Sequence, residues 1–122
     1  MTSESMPCYS FEEENDTVLF VLVIDELDVQ RKIGKLFKKV PVNITIRDKE
    51  ISQQSFNLAI KINDSRKVYR FQIKRLPTKI NVEKSKIEFD KGKIIVTLVK
   101  TEDETWKQFS DSDFETYHLV KK

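Results

Sequence analysis

Apolar residues recur at every second position along most of the chain, a spacing that predicts β-strands and not helices. Phe56, Leu58, Ile60 and Ile62 alternate with Ser55, Asn57, Ala59 and Lys61, and Tyr69, Phe71 and Ile73 alternate with Val68, Arg70, Gln72 and Lys74. Between the two runs, Asn63-Asp64-Ser65-Arg66 supplies side chains that bond their own backbone and tolerate turn geometry, so the pair reads as a half-buried hairpin. Val42, Ile44 and Ile46 mark another strand, Ile80 and Val82 a short one, and Tyr9 and Phe11 a short first one. Phe89-Asp90-Lys91-Gly92-Lys93-Ile94 reads as a turn into a long last strand. About seven short strands with regular turns predict an all-β fold, a seven-stranded antiparallel β-sandwich of two sheets.

Two segments depart from simple alternation. Over Val29–Val40, Ile33, Leu36, Phe37 and Val40 stand at helical spacing with lysines between them, which fits a short amphipathic helix inserted between the second and third strands. Val18–Ile24, VLFVLVI, is apolar at both parities. One row suffices for a sandwich core. With Leu19, Val21 and Val23 assigned inward, Phe20, Leu22 and Ile24 are left outside; with Ile94, Val96 and Leu98 inward, Ile95, Thr97 and Val99 join them if the two strands pair. Such a surplus marks a contact site unless the chain covers it with its own insertion or its Phe109, Phe114 and Tyr117 tail.

Composition narrows the function. The 122 residues suit one domain with an ordinary core. No apolar stretch is long enough for a membrane span, so no membrane role is expected. The start, MTSESMPC, has neither the basic opening nor the apolar run of a secretory signal, and a single cysteine, Cys8, precludes an internal disulfide; cytoplasm, with the nucleus as a second compartment, is the expected location. One Cys and one His, Cys8 and His118 at opposite ends, make neither a nucleophile-base pair nor a zinc site, and with two glycines there is no phosphate loop. No catalytic residue, metal or cofactor is expected. Net charge is only +2 but unevenly spread: acids without lysine or arginine over residues 1–30, bases in the middle, acids again from Glu102 to Glu115. Lys61, Arg70 and Lys74 would project from the outer face of the middle hairpin, with Arg66, Lys67 and Arg75 at its ends. This basic face suits an acidic protein partner. It also admits a nucleic-acid module as the less favoured alternative, because Tyr69 and Phe71 point away from the charges and cannot serve as stacking platforms.

Three stretches, CYSFEEENDTVLFVLVI, SFNLAIKINDSRKVYRFQI and KIIVTLVKTEDETWKQF, resemble the CS domain, the sandwich shared by heat-shock protein 90 co-chaperones. The resemblance covers residues 8–109, with 1–7 and the acidic, polar 110–122 as tails. Tyr9, Phe11 and Glu13 stand where the family opens with Tyr-x-Trp-x-Gln; Lys100, Glu102, Glu104 and Trp106 match its closing strand, acidic spacer and Trp. SFNLAIK, the Tyr-containing strand after it, and INVEKS are similar to the calcyclin-binding, Siah-interacting branch. Relative to the family, the linker Asp25–Val40 and the stretch Asp48–Gln53 read as lengthened loops. The helical dimerisation region and C-terminal extension found beside CS domains in calcyclin-binding and Sgt-type proteins have no counterpart, which leaves an excised domain and a minimal relative as the two readings.

The resemblance implies a monomeric, non-catalytic co-chaperone or adaptor that docks on the nucleotide-binding domain of heat-shock protein 90. Carried over residue by residue, the contact falls on Phe11, Glu13, Phe20, Leu22, Thr97, Val99 and Lys100. An adaptor in a ubiquitin-ligase or other assembly without chaperone contact is the alternative. Trp106 is implied to fold back as a structural latch worth about 2–3 kcal/mol. Ser110 and Ser112, each with an acid three residues on, are candidate phosphorylation sites.

Overall fold

The structure is a computed structural model that describes residues 3–31, 39–107 and 119–120. Its strands in chain order are β1 (Ser3–Ser5), β2 (Cys8–Glu13), β3 (Thr17–Val23), β4 (Val29–Arg31), β5 (Lys39–Pro41), β6 (Ile44–Ser52), β7 (Ser55–Ile62), β8 (Lys67–Ile73), β9 (Ile80–Asp90), β10 (Lys93–Lys100) and β11 (Leu119–Val120). Two main sheets form the sandwich. One runs β2-β3-β10-β9; the other runs β1-β8-β7-β6, with β11 also on β8. The expected all-β sandwich is therefore present, with more strands than the alternation predicted.

The additional strands explain themselves locally. Ser3–Ser5, read from sequence as tail, pairs in parallel with β8. The stretch from Asp48, read as a lengthened loop, continues β6 to Ser52; its charged residues sit on an exposed edge strand that needs no apolar row, and a register shift lies between Ile46 and Asp48. The helical spacing over Val29–Val40 is not realised at its ends, where β4 and β5 pair antiparallel, while residues 32–38 lie outside the described residues.

The main register places side chains unambiguously. Ile94 pairs with Leu22, Val96 with Phe20 and Leu98 with Val18, so these six share one face. They meet Phe56, Leu58, Ile60, Phe71 and Ile73 of the other sheet in the core. Aromatic rings occupy its centre: Phe20 lies 5.3 Å from Phe71 and 5.4 Å from Phe11, and Tyr9 lies 5.2 Å from Phe71, all tilted as ring quadrupoles prefer.

Gly92 closes the β9–β10 hairpin at φ +77°, a left-handed backbone. Its amide donates to Leu27 O and its carbonyl accepts from Ile24 N, both at 2.9 Å, which ties the hairpin to the end of β3. A methyl group there meets no atom within 4 Å. Gly92→Ala is therefore expected to cost about 1–2 kcal/mol through backbone strain alone, measured by urea unfolding, with Gly92→Asn costing less.

Candidate protein-interaction face

With Phe20 and Leu22 turned inward, the opposite row of β3 lies outside. Leu19 and Val21 are half-buried and Val23 is 43% exposed. Across the ladder, Leu19 faces Thr97, Val21 faces Ile95, and Thr17 faces Val99, whose side chains are also partly exposed. Together these residues make an apolar centre on the four-stranded sheet. Cys8, Ser10 and Glu12 of β2 flank it on one side, and the Lys86–Glu88 pair of β9, 3.6 Å apart, flanks it on the other.

The contact residues expected from sequence divide. Thr97 and Val99 stand on this face. Phe20 and Leu22 do not: at 0% and 1% exposure they are core residues, which inverts the parity assigned to β3. The bulkier row, Phe20, Leu22 and Ile24, fills the interior, and the slimmer Leu19, Val21 and Val23 are left outside. Phe11 is packed against the core on Phe20, and Glu13 shares its parity. Lys100 follows Ile94, Val96 and Leu98 on the inward parity and is buried.

Glu13 and Lys100 instead meet each other. Lys100 Nζ donates to Glu13 Oε2 at 2.8 Å and to the Glu104 carbonyl at 3.0 Å. Glu13 also accepts from the Trp106 amide and the Thr105 hydroxyl, each at 2.8 Å. The ion pair is withdrawn from water, with side chains 8% and 3% exposed. Burial disfavours the Glu13 carboxylate; the Lys100 ammonium, the Trp106 amide and the Thr105 hydroxyl outweigh it and hold the carboxyl below its ordinary value of 4.5. Trp106 itself is wholly buried, and its indole N–H donates to Thr78 Oγ1 at 2.9 Å. Glu13 thus seats the chain after β10 on β2. Thr78 and Thr105 were not singled out from sequence, and a lone threonine in a loop carries no signal for this role.

Seen through its strand order, the sandwich has a counterpart of known structure. The chain shares its fold with heat shock protein 16.0 from Schizosaccharomyces pombe. The TM-score is 0.55 at 16% identity, covering 82% of this chain and 91% of that chain. Neither a protein-family model nor a curated protein sequence matches the chain. At this identity the likeness establishes the shared β-sandwich fold and nothing finer.

Two residues of the basic face, Arg70 and Lys67, are paired with acids. Arg70 is bonded to Glu4, Asp48 and Asn57, and Lys67 pairs with Glu26 at 2.6 Å. Tyr69 donates to the same Glu26 carboxylate at 2.9 Å, which clips the β3–β4 connection to β8. The Lys67 ammonium, and after it burial set against the Tyr69 hydroxyl, leave Glu26 with a lowered pKa. Ser110 and Ser112 lie outside the described residues.

Proposed function

We propose that the chain is a non-catalytic protein-interaction domain of the co-chaperone type, docking through the outer face of the β2-β3-β10-β9 sheet on the nucleotide-binding domain of heat-shock protein 90. The observation that carries the reading is the half-exposed apolar centre of Leu19, Val21, Val23, Ile95, Thr97 and Val99, edged by Glu12 on one strand and Lys86 and Glu88 on another. A dry centre with a charged rim is the anatomy of a modest interface. The resemblance to the CS domain adds the partner: Tyr9, Glu13 and Lys100 on this sheet, and Trp106 in the chain after it, stand at the positions of that family's opening and closing motifs. The non-catalytic part rests on the inventory of a single Cys and a single His.

The site and the core alternate along the same strands, which makes the test clean. Val21→Glu combined with Val99→Lys changes outward side chains only, so the thermal midpoint is expected to stay within a few degrees of the original. Binding to the isolated nucleotide-binding domain, followed by calorimetry, is expected to weaken by about 100-fold, the effect of a charged pair buried without partners. Unchanged affinity with an intact fold would remove this face from the contact.

A further inference from the structure

The second sheet has a feature that the docking face does not use. Two short segments from opposite ends of the chain add to the same edge of β8. Ser3–Ser5 pairs in parallel with Lys67–Tyr69, and Leu119–Val120 pairs antiparallel with Gln72 and Ile73. The edge therefore accepts strands in either direction, and among the described residues Arg70 and Phe71 lie between the two occupants, in register with neither.

Charge selects what sits on the β1 half. Arg70 presents Nε and one terminal nitrogen to the two oxygens of Glu4, each at 3.2 Å, a forked contact. The fork is aimed by residues outside the arm: Arg70 donates to Asn57 Oδ1 and to Asp48 Oδ2, each at 2.9 Å, from β7 and β6. A cleft of about 210 Å³ beside it is lined by Glu4, Arg47, Asp48, Val68 and Arg70. Arg47 has no ion pair among the described residues, so a second cation is at hand.

We propose that the edge of β8 is a strand-addition site for an extended acidic segment of a partner protein, occupied in cis by the chain's own Ser3–Ser5 arm as a built-in competitor. The arm holds on weakly. It pairs over three residues only, in the parallel mode that is less stable per residue. A partner segment running along all seven residues of β8 continues the ladder through the Arg70–Phe71 stretch, which neither resident spans among the described residues, with a carboxylate taking the place of Glu4 on the Arg70 fork. Because this edge belongs to the other sheet, the inference stands or falls apart from the docking face.

The test uses the full chain and its Glu4→Lys variant, in which the arm loses its contact with Arg70. The probe is a peptide of the arm's own sequence, TSESMP, with TSKSMP as control, and the readout is the amide shifts of Lys67–Arg70 in proton–nitrogen spectra. Saturable shifts at those amides are expected, at least tenfold tighter in Glu4→Lys than in the original chain, and none with the control peptide. Should Glu4→Lys fail to fold, Glu4→Gln serves in its place. Equal affinity in the two chains, equal binding of the control peptide, or shifts elsewhere would overturn the proposal. So would sedimentation showing that the arm instead pairs with β8 of a second copy.

Discussion

Trp106→Ala is expected to lose about 3–5 kcal/mol of stability, read as the shift in urea midpoint. Glu13 holds both the Trp106 backbone amide and the hydroxyl of the preceding Thr105, and the indole is fully buried. Its removal opens a cavity and also leaves the Thr78 hydroxyl without its donor. Trp106→Phe separates the two contributions: most of the buried area returns, the bond to Thr78 does not, and a residual loss of about 1–2 kcal/mol is expected. If Trp106→Ala unfolded within 1 kcal/mol of the original, the latch would be peripheral to the fold.

Glu13→Ala ranks next, at about 3–5 kcal/mol, because it strands the Lys100 ammonium in the interior and frees the Trp106 amide. Replacing both partners, Glu13→Met with Lys100→Met, is expected to recover most of that loss, since a buried ion pair contributes little over an apolar pair of similar volume. The pair also shapes the response to acid. The Glu13 pKa is lowered on folding, so its contribution is fully present above the unfolded value of 4.5 and is lost as pH falls through the folded value. Between those limits Glu13→Gln should flatten the fall of stability with decreasing pH, which urea unfolding at a series of acid pH values measures. An unchanged slope would mean that Glu13 is not coupled to folding.

Much of this arrangement was readable from the alternation of side chains. The hairpin of β7 and β8 and its turn at Asn63–Arg66 follow from period-two spacing and turn chemistry, because each of the two strands has one apolar and one more polar face. Strand β3 defeated the same logic. TVLFVLV offers apolar residues at both parities, so alternation cannot choose, and the choice falls to bulk and to the aromatic partners Tyr9, Phe11 and Phe71 that come from distant sequence. Parity could still have placed two residues correctly. Lys100 continues the inward series Ile94, Val96 and Leu98, and Glu13 continues Tyr9 and Phe11. Taken together, two opposite charges on inward positions at adjoining strand ends predict an ion pair and not a rim for a partner. The continuation of β6 past Ile46 was hidden for another reason: as an exposed edge it carries Arg47, Asp48, Lys49 and Glu50, and edges are kept from aggregating by such charges. Pairing by Ser3–Ser5 leaves no hydrophobic trace, since none of its three residues is apolar; Glu4 forms an ion pair with Arg70.

The inversion of β3 changes which residues the proposed docking face presents without removing its apolar centre. Side chains assigned to the partner on sequence grounds, Phe20 and Leu22, hold the core, and Leu19, Val21 and Val23 take their place outside. Methyl resonances distinguish the two rows directly. In a carbon–proton methyl spectrum titrated with the nucleotide-binding domain of heat-shock protein 90, the methyls of Leu19, Val21, Val23, Ile95 and Val99 are expected to shift or broaden together. Those of Val18, Leu22, Ile94, Val96 and Leu98 are expected to hold their positions. Perturbation confined to other surfaces, or a spectrum unchanged at saturating partner, would contradict docking through this face.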